Sequence, residues 1–120
     1  MAELLYQKIA NILAGKKLIV SDEKQLQAQL MALFGACHEL PFIVKEYRLS
    51  PYGNVDFFMD GTAVEVKIKG SPMAIHRQLE RYAKHPEVKE IILITSKTMT
   101  LPATINGLPA HVINISKSWL

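Results

Sequence analysis

Residues 55–68 have the sequence VDFFMDGTAVEVKI, in which two segments of alternating side chains flank Asp60-Gly61. An Asp-Gly dipeptide between two such segments is typical of a β-hairpin with a two-residue type I′ turn. Strands are therefore predicted over residues 55–59 and 62–68. The rest of the fold is predicted outward from this hairpin.

A loop of two residues determines which side chains face each other across the hairpin. Counting back from the turn places Asp56 opposite Glu65 on one face of the sheet, with Cβ atoms about 4.5–5.5 Å apart. Lys67 shares that face because side chains alternate along a strand. The opposite face is expected to be continuously apolar, with Val55, Phe57, Met59, Val64, Val66 and Ile68.

Two carboxylates that face each other across a strand pair repel, and therefore need a compensating cation. Lys67 supplies one positive charge, and a divalent metal ion is a second source, because Mg²⁺ prefers oxygen ligands. The alternative is a solvated charged face of an ordinary hairpin. Phe58 lies on the same predicted face and indicates that this face is partly covered, which raises the cost of leaving the acids unneutralised.

Apolar residues at helical spacing precede the hairpin. They predict helices over residues 2–14 and 22–37, the second of them N-capped by Ser21. Glu23 continues the buried stripe of the second helix at its N-terminal end, so we expect its carboxylate at the rim of the core. The alternative is that this acid only stabilises the helix dipole. A further strand is predicted over residues 42–49.

Another helix and another strand are predicted after the hairpin. The helix begins at Ser71-Pro72, a typical N-cap followed by proline at the first helical position, and ends before Pro86. An uninterrupted apolar strand over residues 90–95 is typical of a strand buried on both faces, and we expect it to pair in parallel with the earlier sheet. A short strand or hairpin is predicted within residues 104–115.

The predicted fold class is α/β, with a mixed sheet flanked by helices. A length of 120 residues predicts a single domain over residues 1–120. A single cysteine excludes a disulfide framework and a cysteine-rich zinc module. We expect a cytoplasmic protein without membrane association, because no apolar run approaches about 18 residues and the N-terminus has no signal-peptide pattern. A net charge of +3 does not by itself indicate a nucleic-acid ligand.

Asp56, followed after eight intervening residues by Glu65-Val66-Lys67, resembles the D…ExK core of the PD-(D/E)xK nuclease superfamily. The elements predicted over about residues 22–95 are similar to its restriction-endonuclease-like αβββαβ core, with an extra N-terminal helix and a C-terminal strand outside it. Gln78-Leu79-Glu80-Arg81-Tyr82 resembles the QxxxY signature of the exonuclease and Holliday-junction-resolvase-like branch. Val55 stands where the motif's name has proline.

Gln78 and Tyr82 are four residues apart and therefore lie on one face of the helix. From the residues alone, the alternative to a functional role is that Gln78 lies at the boundary of the core and Tyr82 within it. The resemblance implies metal-dependent hydrolysis of DNA phosphodiester bonds with Mg²⁺, for which Mn²⁺ substitutes. The catalytic residues that it implies are Asp56, Glu65, Lys67, Gln78 and Tyr82. The metal ligands that it implies are Glu23, Asp56, Glu65 and the main-chain carbonyl of Val66.

Basic residues near this face are expected to contact the DNA backbone, namely Lys69, Arg77 and Arg81. A chain without a separate recognition domain favours structure-selective cutting of branches, junctions, flaps or ends, in a phage, mobile-element or DNA repair and recombination context. A homodimer or a subunit of a larger complex is compatible with this interpretation, which leaves the oligomeric state open. The hydrophobic residues 118–120 are candidates for packing on their own subunit or on another. The alternatives are a non-catalytic nucleic-acid- or protein-binding domain that retains a nuclease fold, and an interaction domain whose hairpin acids are solvated.

Overall fold

The part of the chain that the computed structural model describes, residues 4–116, has three helices and six strands. In chain order they are α1 (Leu5–Leu13), α2 (Glu23–Gly35), β1 (Val44–Arg48), β2 (Asn54–Met59), β3 (Thr62–Lys67), α3 (Pro72–Tyr82), β4 (Glu90–Thr95), β5 (Thr104–Ile105) and β6 (Leu108–Asn114). Within this range, no helix has the length and apolar character that crossing a membrane requires. The predicted start of the first helix and the hydrophobic residues 118–120 lie outside the described residues.

The hairpin between β2 and β3 has the two-residue loop that the sequence predicts. Both loop residues have positive φ angles, 48° for Asp60 and 85° for Gly61, as a type I′ turn requires. Met59 pairs with Thr62, and the pairing continues back to Phe57. The predicted register is therefore confirmed for the three pairs nearest the turn.

The sheet is mixed, with the strand order β1-β2-β3-β4-β6-β5. β1, β2 and β3 are antiparallel neighbours, whereas β4 is parallel to β3 and β6 is parallel to β4. The change of direction follows from α3, because a crossover helix returns the chain to the end of the sheet from which it started. The predicted parallel strand and the predicted C-terminal hairpin are both confirmed.

Helices cover both faces of the sheet, so the chain has two apolar cores. α1 and α2 pack against one face, which includes Phe57, Met59, Val64 and Val66 of the hairpin. α3 packs against the other face, which includes Val55, Phe58 and Ala63. The expected partial covering of Phe58 is confirmed, whereas the prediction that Val55 shares a face with Phe57 and Met59 is wrong.

The pairing of β2 with its neighbouring strands is interrupted at Asp56, and this explains why Val55 packs on the face opposite to the predicted one. Glu46 has a φ angle of 50°, and it lies between β1 residues whose partners are Phe57 and Val55. Within the described sheet, neither Glu46 nor Asp56 has a strand partner. Beyond this point Tyr47 pairs with Val55, and both pack on the α3 side. The alternation of side chains between the two faces therefore shifts at the same place in β1 and in β2. Counting along the strands from the turn does not predict this shift.

The ends of two predicted elements also differ from the structure. The side chain of Asp22, not Ser21, caps α2, because its Oδ1 accepts hydrogen bonds from the main-chain N–H groups of Lys24 at 2.9 Å and Gln25 at 3.2 Å. The first strand begins at Val44 rather than at residue 42, since Phe42 is 86% exposed and precedes the sheet.

Candidate functional site

The predicted acidic residues lie at the edge of the sheet where β3 ends and β2 begins. β4 and β6 end at the same edge, because they are parallel to β3. The carboxyl ends of parallel strands are the usual position of ligand sites in open α/β sheets. We call this the carboxyl edge of the sheet.

The side chains of Asp56 and Glu65 accept hydrogen bonds from main-chain N–H groups where the strand pairing is interrupted. Val66 N–H donates to Asp56 Oδ2 at 2.7 Å, and Asp56 N–H donates to Glu65 Oε1 at 3.3 Å. In a regular antiparallel ladder these strands would exchange main-chain bonds instead. The two carboxylates are therefore neighbours, as predicted, but they meet across an opened end of the hairpin and not as a ladder pair.

Burial changes the acidity of both carboxyl groups. Glu65 is only 3% exposed, and burial, reinforced by the charge of Asp56, raises its pKa to about 8 although Lys67 opposes the shift. Burial also raises the pKa of Asp56, against the hydrogen bond from Val66 and the charge of Lys67. At neutral pH the pair therefore retains a proton unless a further cation neutralises it.

Lys67 is the cation closest to the pair. Its Nζ lies 3.3 Å from Glu65 Oε2, and its side chain is 23% exposed. The ammonium is thus bound to the buried acid on one side and accessible to solvent on the other. Burial is the main reason that both pKa values are raised, and the charge of Lys67 opposes this shift without cancelling it.

Glu23 approaches the site from the first turn of α2. Its Oε1 accepts a hydrogen bond from Ile68 N–H at 3.1 Å, and its charge contributes to the raised pKa of Asp56. Together with Lys67 and Lys69 it lines a cavity of about 540 Å³. Nevertheless, residues 4–116 contain no group of three or more His, Cys, Asp or Glu side chains arranged to hold a metal ion. Glu23 is therefore placed at the margin of the pair.

Gln78 and Tyr82 are linked to each other and to the beginning of β2. The Tyr82 hydroxyl accepts a hydrogen bond from Gln78 Nε2 at 2.7 Å and donates one to the carbonyl of Asn54 at 2.8 Å. Burial and the charge of Glu65 raise the pKa of Tyr82, so the phenol stays neutral. Neither side chain forms a hydrogen bond to Asp56 or Glu65 within the described structure. Their contacts fix the main chain two residues before Asp56.

The three predicted DNA-contacting residues lie on two different surfaces. Lys69 lines the cavity beside Glu23 and Lys67. Arg77 and Arg81 are exposed on α3 and line a separate cavity of about 280 Å³ that includes Asn106 in the β5–β6 turn. Of the three, only Lys69 therefore lines the cavity that Glu23 and Lys67 share.

Polar residues of β4 and β6 extend the carboxyl edge beyond Lys67, and the sequence analysis did not identify them. Lys67 pairs with Thr95, which in turn pairs with Asn114. A signal was available for Thr95, because it ends a predicted parallel strand and the ends of parallel strands meet. None was available for Asn114, which lies inside the predicted C-terminal segment.

Comparisons with known proteins add no further assignment: no protein-family model, curated protein or solved structure matches this chain.

Proposed function

We propose that this protein is a Mg²⁺-dependent nuclease that hydrolyses phosphodiester bonds in DNA, built on the restriction-endonuclease-like core that its sequence resembles. The observation that supports this proposal is the Asp56–Glu65 pair, two adjacent and largely buried carboxyl groups that have Lys67 as their only balancing cation within residues 4–116. Two carboxyl groups with raised pKa values, beside a partly exposed lysine at the carboxyl edge, are typical of a functional site.

The donor set suits Mg²⁺. This ion usually keeps several of its waters and is held by one or two carboxylates, so a pair of acids is sufficient without a third. Asp56 and Glu65 would hold the ion, with the main-chain carbonyl of Val66 as a further oxygen and Glu23 at the margin. When bound, Mg²⁺ supplies positive charge that activates a water molecule and stabilises the charge on the phosphate, and Mn²⁺ can replace it.

The neighbouring side chains have separate roles in this proposal. The Lys67 ammonium, accessible beside Glu65, hydrogen-bonds the attacking water or a phosphate oxygen. Gln78 and Tyr82 act as positioning residues, since the Tyr82 hydroxyl holds the Asn54 carbonyl and so fixes the beginning of β2. Displacement of that strand would move Asp56 away from Glu65.

The proposed substrate is DNA with a structural feature such as a branch, junction, flap or end, met in a phage, mobile-element or repair context in the cytoplasm. Lys69 in the cavity beside Glu23 and Lys67, and Arg77 and Arg81 on the outside of α3, are available for phosphate contacts. Cations on two surfaces suit a substrate with two arms better than a single straight duplex. A homodimer or a larger assembly would extend this contact.

A non-catalytic nucleic-acid- or protein-binding domain is the second candidate. It is favoured by the finding that the described residues contain no cluster of three metal-binding side chains. The retention of two acids in a buried position, which costs free energy in a domain that only binds, favours the nuclease.

A cleavage assay with matched variants tests the nuclease against the binding domain. Supercoiled plasmid and labelled junction, flap and duplex DNA are incubated with Mg²⁺, Mn²⁺ or EDTA. Cleavage is expected only with a metal ion, and it should be lost in Asp56→Asn and Glu65→Gln. Asp60→Asn is the control, because this exposed turn residue has a φ angle of 48°, which asparagine tolerates.

Failure of the purified wild-type protein to cut any of these substrates with either metal would contradict the nuclease proposal. Binding of the same DNA without cleavage would then support the second candidate. Cleavage that survives Glu65→Gln unchanged would show that the activity comes from elsewhere.

A further inference from the structure

Three lysines of the described chain are half-buried: Lys8, Lys67 and Lys97. Lys8 Nζ donates a hydrogen bond to the carbonyl of Glu39 at 3.5 Å, and Lys67 pairs with Glu65 at 3.3 Å. Within residues 4–116, the Lys97 ammonium has no such partner. A half-buried ammonium has lost part of its hydration, so a cation in this position without a protein partner is suited to an external anion.

The main chain of Lys97 is held in place from both sides. Its N–H donates to Thr95 Oγ1 at 3.0 Å, and its carbonyl accepts a hydrogen bond from Asn114 Nδ2 at 2.8 Å. Thr95 is fully buried, and Asn114 Oδ1 is itself bound by Ser116 N–H at 3.0 Å. A loop residue with both main-chain groups bound by side chains of two strands is preorganised for contact with a ligand.

The sheet topology places Lys97 at the carboxyl edge, two residues beyond the end of β4. This lysine follows Thr95, the residue that pairs with Lys67 on the neighbouring strand. Lys67 ends β3 and Lys97 lies two residues beyond the end of β4, so both lysines lie along the same edge of the sheet. One nucleic-acid strand that runs along this edge can contact both of them.

We propose that Lys97 binds the phosphate next to the scissile one, and that Thr95 and Asn114 are the positioning residues that hold it there. This inference rests on the proposed nuclease function and adds a substrate-binding subsite to it. A cavity of about 650 Å³, lined by residues 98–101 and by part of β6 up to Asn114, lies beside the loop. It offers room for the sugar and base that belong to this phosphate.

Binding of DNA at increasing salt concentration tests the inference without cleavage. Fluorescence anisotropy of a labelled junction is measured in EDTA for the wild-type protein, Lys97→Ala, Lys97→Arg and Lys89→Ala. We expect Lys97→Ala to bind about 3–10-fold more weakly and to reduce the slope of log K against log salt by about 0.7–0.9, the effect of one lost phosphate contact. Lys97→Arg should retain most of the affinity, because it retains the charge.

Lys89 is the matched control, since it is an exposed lysine directly before β4 whereas Lys97 follows the same strand. Lys89→Ala should bind as the wild type does. Asn114→Ala should weaken binding by a smaller factor than Lys97→Ala, because the charge remains but its loop is no longer held.

The outcomes separate this inference from the proposed function. Wild-type binding with an unchanged affinity and salt slope in Lys97→Ala would overturn the inference and leave the nuclease proposal standing. An equal loss in Lys97→Ala and Lys89→Ala would also overturn it, since the contact would then be unspecific. A wild-type protein that neither binds nor cuts DNA would contradict the proposed function, and the inference with it.

Discussion

An acid lies near each end of the pairing between β3 and β4, and the two ends balance its charge differently. At the beginning of these strands, Glu90 Oε1 accepts a hydrogen bond from Thr62 Oγ1 at 3.0 Å. Its other oxygen, Oε2, lies 3.3 Å from His111 Nε2. Each carboxylate oxygen of Glu90 thus has its own polar neighbour. We call this end the amino edge of the sheet.

At the carboxyl edge the same two strands end beside Glu65, which has Asp56 as a neighbour and Lys67 as the only cation in contact with it among the described residues. The acid at the amino edge is a satisfied structural group, whereas the pair at the carboxyl edge stores unfavourable charge repulsion. The two acids differ in burial, since Glu65 is 3% exposed and the Glu90 side chain 20%, and they differ in the partners that balance their charge.

The largest expected difference between the two edges is in activity. If Glu65 holds the metal ion as proposed, Glu65→Gln removes one of its charged ligands and should lower the rate of DNA cleavage at least about 100-fold. Glu90→Gln should keep the rate within about threefold. Initial rates at saturating Mg²⁺ measure both. Comparable losses in the two variants, with both proteins folded, would contradict the assignment of the site to the carboxyl edge.

Metal binding should raise the stability of the domain through the carboxyl edge and not through the amino edge. At a Mg²⁺ concentration near 100 times its Kd, binding adds about 2.7 kcal/mol of stability, which corresponds to a rise in Tm of roughly 10 °C for a domain of this size. Thermal unfolding followed by circular dichroism should show this rise in the wild type and in Glu90→Gln. Asp56→Asn should lose it, and a shift that persists in Asp56→Asn would place the ion elsewhere.

The stability of the metal-free protein should depend on pH through the acidic pair. Folding raises the pKa of Glu65 from an ordinary value of 4.5 to about 8, so the folded state holds more protons than the unfolded chain between these values. Stability should therefore be fully present below about pH 4.5, fall as the pH rises to about 8, and then level off.

Glu65→Gln should flatten this pH dependence, because the amide does not titrate. Tm measured in EDTA from acidic to alkaline pH gives the comparison, with Glu90→Gln as the matched variant that retains the fall. A wild-type Tm that rises through this range would contradict a buried, repulsive pair.

The smallest expected effect concerns the amino edge itself. Thr62→Val keeps the shape of the side chain but removes the hydroxyl that donates to Glu90, which should cost about 1 kcal/mol of unfolding free energy. Denaturant unfolding measures the loss, and DNA cleavage should be unchanged. A loss of activity without a loss of stability would mean that the amino edge takes part in the chemistry.

The hairpin register follows from the sequence because its determinants are local. Asp60-Gly61 adopts the two positive φ angles that a two-residue turn needs, and the three pairs next to it follow by counting. The neighbourhood of Asp56 and Glu65 was predictable for the same reason. Local rules were also sufficient for the parallel pairing of β4, because a helix between two strands restricts how the chain returns.

The interruption at Asp56 could not be predicted from the hairpin alone. It arises where Glu46 of a different strand adopts a positive φ angle, so that β1 and β2 change phase together and Val55 packs under α3. This depends on packing between distant segments. The positions of Arg77 and Arg81 away from the acidic pair likewise depend on how α3 is oriented over the sheet.

The sequence by itself determined the class of fold, the central hairpin and the closeness of two acids to Lys67, because turn chemistry and side-chain alternation act over a few residues. Only the tertiary structure decided how strongly those acids are perturbed, since burial depends on which helices cover the sheet. The tertiary structure also placed Thr95, Lys97 and Asn114 beside the site, because strands distant along the chain become neighbours only when the sheet forms.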